Sequence, residues 1–325
     1  MEDLAEQIKN MWEVNKTEFE ERLNDWLKAL EDGQKFIRQA RKQFHQWDPL
    51  IIYVSVAKAK SNSRLLFSLR FFGQEVAELF VKDKKVTMRL KKRHSVKNKE
   101  WFGCTLKDGD YEWNGHEGKE FRLYFKEKAC SSKGKPKVRS IEHRIESKII
   151  SEMLKPSGKF GLSDLKIRPI TIGGCPLQFP VPISASKREP EKSKGNIDIL
   201  ARHLGKNNKT RISVWELKKP NTYNNAASQA YVYAFTLLQV LRHTKNASRW
   251  YKIFGYKSPI PKPIEIEAVV AITSDQRQKF NREKTKLEKD TSFEIDGDSI
   301  KLYAAYYMEE SQSIKFERNP FRENQ

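Results

Sequence analysis

The stretch "GNIDILARHLGKNNKTRISVWELKK", residues 195–219, holds two short apolar runs, and each carries a carboxylate inside it. Asp198 interrupts Ile197 and Ile199, and Glu216 stands between Trp215 and Leu217, with Lys218 following. Strand alternation puts Ile212, Val214, Glu216 and Lys218 on one side and Arg211, Ser213, Trp215 and Leu217 on the other. GKNNK, residues 205–209, reads as a hairpin-type turn, which brings Asp198 beside Glu216. Two neighbouring carboxylates repel, so one takes up a proton or both hold a divalent cation. Hard oxygen ligands suit Mg²⁺ or Mn²⁺ rather than zinc.

The flanking sequence adds to this cluster. In SIEHRIESKIISEMLK, residues 140–155, Ile141, Ile145, Ile149 and Met153 form a helical stripe. Glu142 and Glu146 fall within that apolar face, where a carboxylate needs a partner. PLQFPVPISAS (176–186) reads as extended, and the basic SKREPEKSKG (186–195) reads as a loop approaching phosphate through Lys187, Arg188, Lys192 and Lys194. After Lys218 come a helix from about residue 225 to 243, a strand at IEIEAVVAIT, a charged loop or helix over 274–290, and a strand at SIKLYAAYYM. That order is α/β, with a central mixed sheet flanked by helices.

A helix Glu, then Asp, then Glu-x-Lys resembles the PD-(D/E)XK nuclease superfamily, with its restriction-endonuclease-like fold. QAYVY, residues 229–233, resembles the Gln-x-x-x-Tyr motif of its RecB-like branch. The resemblance spans about residues 140–310. It implies Asp198 and Glu216 as metal ligands, Glu146 (or Glu142) as the helix acid, and Lys218 beside the attacking water. Gln229 corresponds to the orienting glutamine and Tyr233 to the motif tyrosine. Asn196-Ile197 stands where a proline often precedes the Asp. The implied activity is metal-dependent hydrolysis of phosphodiester bonds, with Mg²⁺ or Mn²⁺ as cofactor.

The first 130 residues lie outside the resemblance and read as an α+β region. Residues 1–47 are helical, with TEFE (17–20) as a capping box. Phe19, Leu23, Trp26, Leu30, Gly33, Ile37, Ala40 and Phe44 form a heptad seam over 17–46. It predicts either a helix lying on its own domain or a surface for a homodimer or partner protein. Residues 48–130 contain IIYVSVAK, RLLFSLRFF, EVAELFV, KVTMRLKK and EFRLYFK, which read as an antiparallel β-meander. Lys91, Lys92 and Arg93 are candidate phosphate contacts. Arg89 to His94 also fits the Arg-x4-His pattern of a family of metal-independent ribonucleases, but that motif sits on a helix and here the Arg ends a β-run. Residues 131–139 read as a linker, and 140–325 as the nuclease-like domain.

The formal charge of +20 points to a polyanionic partner. Nucleic acid is expected, DNA in preference to RNA. A membrane is not, since no apolar run approaches the ~18 residues that would span one. Three scattered cysteines fit a reducing cytoplasm. The competing readings are a non-catalytic nucleic-acid binder on the same fold and an RNA-directed nuclease.

Overall fold

A computed structural model describes residues 3–39, 49–58, 63–82, 84–131, 140–155, 167–187, 189–204, 210–222, 225–257, 259–310, 313–317 and 320–321. Helices α1 (Leu4–Val14) and α2 (Lys16–Gln39) lead into strands β1 (Leu50–Lys58), β2 (Ser63–Phe71), β3 (Gln74–Lys82) and β4 (Lys85–Leu90). Helix α3 (Lys92–Phe102), strand β5 (Gly109–Glu112), and helices α4 (His116–Ser131) and α5 (Ile141–Leu154) follow. Short strands come next: β6 (Ile167–Pro169), β7 (Thr171–Ile172), β8 (Cys175–Gln178), β9 (Pro180–Val181), β10 (Ser184–Lys187), β11 (Glu189–Glu191) and β12 (Gly195–Asn196). Beyond them lie β13 (Ile199–Leu204), β14 (Thr210–Leu217), α6 (Ala226–His243), α7 (Ala247–Ile253) and β15 (Glu265–Thr273). The chain then adds α8 (Arg277–Asp290), β16 (Glu294–Ile295), β17 (Asp298–Glu309) and β18 (Ile314–Phe316).

The protein is α/β: among the described residues, two large sheets carry the fold and two two-stranded ribbons, β10-β11 and β9-β12, stand beside them. The first sheet runs β5-β4-β3-β2-β1-β8-β7; strands β1 to β4 form the expected antiparallel meander, and β5, outside the expected strands, extends it. The second runs β16-β17-β15-β14-β13-β6, with β18 on β17. It is mixed: β14, β15 and β17 are parallel, and β13 runs antiparallel to β14. The parallel pairs require crossovers, and α6 and α8 supply helices for them. Its central strands are buried on both faces: Ile212 to Leu217 of β14 are all buried, and β15 is continuously apolar from Ala268 to Ile272. Ile212 and Val214 pack in the same core as α6, whereas Trp215 and Leu217 pack with Ile145, Ile149 and Met153 of α5.

Helix α5 lies between the sheets. Ile145, Ile149 and Met153 of its apolar stripe share a core with Ile51 and Tyr53 of β1 as well as with the second sheet, whereas Ile141, in the first turn, is exposed. Ser140 caps it, accepting from the His143 amide at 3.3 Å. At the next turn, buried Arg144 grips Glu309 of β17 with bonds of 2.8 and 3.0 Å, and Lys148 adds a third at 3.0 Å. Gly73, in the β2–β3 turn at φ +79°, lets the first sheet meet the same helix. A Cβ there would stand 2.0 Å from the His143 carbonyl oxygen.

Three expectations change. EFRLYFK is part of α4, not a strand: Phe121 and Phe125 are buried one helical turn apart while Leu123 is 55% exposed. KVTMRLKK stops being a strand at Leu90, and its last residue, Lys92, opens α3. The hairpin β7–β8, from beyond the expected 131–139 linker, completes the first sheet by pairing β8 in parallel with β1, so the two halves share one core. Residues 132–139 themselves lie outside the described residues.

The heptad seam is covered by its own chain. Phe19, Leu23, Trp26, Leu30, Gly33 and Ile37 are buried, and α2 packs on β2, β1 and α7. This leaves no exposed stripe there for a dimer; Ala40 and Phe44 lie outside the described residues. Among the described residues, no helix is long and apolar enough to cross a membrane.

Candidate active site

The carboxylates met in the two apolar runs converge where β13 begins and β14 ends. Ile199 pairs with Trp215, which puts Asp198 opposite Glu216 as alternation requires; the turn at 205–209 lies outside the described residues. Asp198 Oδ2 accepts the Leu217 amide at 2.9 Å. Lys218 Nζ donates to Glu216 Oε1 at 2.8 Å and to Gln229 Oε1, on α6, at 2.5 Å. Gln229 in turn donates to the Ala185 carbonyl at 2.8 Å, which fixes its amide and so the lysine. Tyr307 donates to the Lys218 carbonyl at 2.7 Å.

Helix α5 supplies acids from the opposite side. Glu146 is buried and accepts from Gln178 of β8 at 3.4 Å. Glu142, one turn earlier, is half-buried, and its charge acts on Glu216 and Lys218, whereas that of Glu146 acts on Asp198. Both helix acids therefore act on the pair, each on a different member. Tyr233, the last residue of the Gln-x-x-x-Tyr pattern, packs beside Gly195, where a Cβ would lie 3.0 Å from its ring. The absent side chain allows the segment leading to Asp198 to approach α6.

Proton affinities record how poorly these acids are compensated. Burial first, then Glu216 and Glu146, hold Asp198 well above the ordinary aspartate range, against the Leu217 amide and Lys218. Burial also raises Glu216, with Lys218 opposing and Glu142 assisting. Burial pushes Glu146 up to about 7, although Arg70 and Gln178 pull the other way. For Lys218, burial works against the ammonium, but Glu216, Asp198 and Glu142 outweigh it and the amine titrates above an ordinary lysine. The place thus holds an excess of carboxylates around one retained ammonium, with an all-oxygen donor set that fits a divalent cation of the Mg²⁺ type.

These donors do not form a closed cage. Among the described residues, the ligand-type group with donor atoms all within 4.8 Å of one another is Glu75, Glu78 and His94 on the first sheet. That group is already neutralised. Arg93 bonds Glu75 and Glu78 at 2.9 Å each, Lys91 bonds Glu78 at 2.7 Å, and His94 Nε2 lies 2.8 Å from Glu75. Arg89 forms a two-pronged pair with Asp110 at 2.7 Å, apart from His94, so the Arg-x4-His pattern brings no two catalytic groups together.

Several expected phosphate contacts are spoken for inside the chain. Besides Lys91 and Arg93, Lys192 pairs with Glu18 at 2.6 Å and Lys194 donates to the Val56 carbonyl at 3.1 Å. Lys92 is exposed. Arg188 and the side chain of Lys187 lie outside the described residues.

Two site residues escaped the sequence reading. Arg70 of β2 donates to Gln178 Oε1 at 2.7 Å, and through that amide reaches Glu146. Its guanidinium also lies 4.5 Å over the Tyr53 ring. The available signal was a polar residue breaking an apolar run: Arg70 in RLLFSLRFF and Gln178 in PLQFP. No protein-family model, curated protein or solved structure matches this chain.

Proposed function

We propose that the protein is a metal-dependent nuclease that hydrolyses DNA phosphodiester bonds with Mg²⁺ or Mn²⁺. One observation carries the reading: three carboxylates from separate elements, Asp198, Glu216 and Glu146, face one another with raised proton affinities beside a lysine that stays charged. Such an arrangement is unfavourable unless a cation relieves it. The net charge of +20 supports a polyanionic substrate.

Asp198, Glu216 and Glu146 would hold the metal, with Glu142 at its margin. When bound, the metal supplies Lewis-acid polarisation of a phosphoryl oxygen and a lowered pKa for a coordinated water. Lys218, held by Glu216 and Gln229, keeps its proton near neutral pH, so its part is to donate a hydrogen bond and offset negative charge developing on the phosphate. Gln229, fixed by the Ala185 carbonyl, orients that ammonium, and Tyr233 packs against Gly195 on the approach to Asp198.

The test is cleavage of plasmid, linear and single-stranded DNA, and of RNA, with Mg²⁺, Mn²⁺ or EDTA. The expected result is cleavage of DNA that EDTA abolishes and Asp198→Asn removes. Cleavage that survives both sinks the proposal. Tight binding without cleavage under every condition favours the non-catalytic reading, and cleavage confined to RNA favours the RNA-directed one.

A further inference from the structure

A cleft of about 570 Å³ opens beside the carboxylate centre. Its lining joins the two halves of the chain: Arg70 of β2, Glu75 of β3, Lys97 and Trp101 of α3, Glu142 of α5, and Lys219 just past β14. We propose that this cleft takes one unpaired nucleotide of the DNA strand, stacking its base on Trp101 and holding its phosphates with Lys97, Arg70 and Lys219. The assignment of the strand as a substrate rests on the nuclease reading above.

Four observations lead there. The volume lies within the range of about 300–1,000 Å³ that suits a ligand the size of a nucleotide, far too small for a duplex. Trp101 is the one tryptophan, among those described, that is not buried; Trp12, Trp26, Trp113, Trp215 and Trp250 are all core residues. The lining sets Arg70, Lys97 and Lys219 against Glu142 and Glu75, the latter already held by Arg93 and His94, and an aromatic face beside such cations is what a base without a pairing partner stacks on.

The cations are also available. Lys91, Arg93 and Lys192 are engaged by acids, whereas among the described residues no ion pair engages Lys97 or Lys219. Lys97 Nζ lies 5.6 Å over the Trp101 ring, a contact weak enough for a phosphate to draw it away. Among the described residues, the Arg70 side chain hydrogen-bonds the neutral Ser68 hydroxyl and Gln178 amide, at 3.2 and 2.7 Å, and lies over the Tyr53 ring, with no carboxylate bonded to it directly. Finally, the cleft leads to the chemistry. Arg70 reaches Glu146 through Gln178, Glu142 acts on Glu216 and Lys218, and Lys219 is the next residue after Lys218. A nucleotide seated here would present its neighbouring phosphate to the carboxylates.

The test uses the full chain in EDTA, so that binding is read without cleavage. Single-stranded oligonucleotides carrying 2-aminopurine, a hairpin duplex of the same composition, and free dAMP are compared by anisotropy and by 2-aminopurine fluorescence. The expected result is quenching on binding, single-strand affinity above duplex affinity, and a loss of about 10-fold for the single strand in Trp101→Ala with duplex affinity unchanged. Trp101→Phe should retain most of the affinity. The Lys97→Ala/Lys219→Ala pair, at surface positions that do not bear on folding, should lower the salt slope by about 1.4. Single-strand affinity and quenching within twofold of wild type in both Trp101→Ala and the lysine pair overturn the proposal. So does a duplex that binds as tightly as the single strand, or dAMP that competes at equal concentration, which would make the cleft a small-nucleotide site. Asp198→Asn separates the readings: it should keep the binding and lose the cleavage. If it still cleaves while Trp101→Ala loses the single strand, the nuclease site fails and the cleft stands.

Discussion

Two carboxylate clusters in this protein use the same residue types to opposite effect. In the first sheet, Glu75 sits among Ser68, Arg93 and His94. Burial tends to raise it, yet those hydrogen bonds and positive charges bring it down to about 2. At the end of β14, Asp198, Glu216 and Glu146 are raised, because acids there face acids and a single lysine serves them. The tighter cluster by distance is Glu75, Glu78 and His94, but its charges already balance. The two clusters therefore differ in charge compensation rather than in closeness, and uncompensated buried charge is what perturbs proton affinity. The clusters are linked through Glu75, Ser68, Arg70, Gln178 and Glu146, a line of polar contacts crossing one face of the sheet.

The contrast can be broken most sharply at the second cluster. Asp198→Asn or Glu216→Gln should lower Mg²⁺-dependent cleavage by at least about 10³-fold, while Glu75→Gln leaves kcat within a few-fold. Equal losses in all three would erase the distinction. Glu309 is the compensated extreme, its carboxyl held at about 2 against burial by the Arg144 and Lys148 hydrogen bonds and charges. Glu309→Gln strands two buried cations and should cost about 3 kcal/mol in urea unfolding, with cleavage falling only as α5 shifts. Lys218→Met should slow cleavage about 10²-fold while calorimetry still records Mg²⁺ binding.

Stability against pH should separate the clusters by sign. Glu75 has a depressed folded value, so its contribution, about 2 kcal/mol after allowance for its partial exposure, is present above about 4.5 and lost as pH falls towards 2. Glu75→Gln should flatten that limb of the curve. Glu146 has a raised folded value, so wild-type stability should decline as pH rises from 4.5 to about 7, and Glu146→Gln should gain on the order of 1 kcal/mol at pH 8 without metal. Saturating Mg²⁺ should reverse that ranking, because wild type alone gains the binding energy. Thermal melts across pH, with and without Mg²⁺, measure both.

Local patterns made much of the site readable. Period-two alternation put Glu216 and Lys218 on one side, the short connection placed Asp198 opposite, and helical spacing set Gln229 one turn before Tyr233. EFRLYFK misled because Phe121, Leu123 and Phe125 satisfy a strand's alternation as well as a helix's four-residue spacing, and only burial separates the two. The basic stretches do not reveal their partners, because an acid distant in sequence, such as Glu18 for Lys192, leaves no mark beside the lysine it pairs with.

The sequence by itself determined the pairing of carboxylates in β13 and β14, the acids on α5, the α/β order and the positive charge, since each depends on periodicity, turn chemistry or composition. Tertiary structure alone decided that β8 joins β1, that the seam of α2 is covered by its own chain, and that Arg70 and Gln178 reach Glu146. It also decided that Trp101 stays open above a cleft. The reason is range: alternation and helical spacing act over a few residues, whereas charge compensation and cleft shape depend on contacts between residues a hundred or more positions apart, such as Arg70 and Gln178.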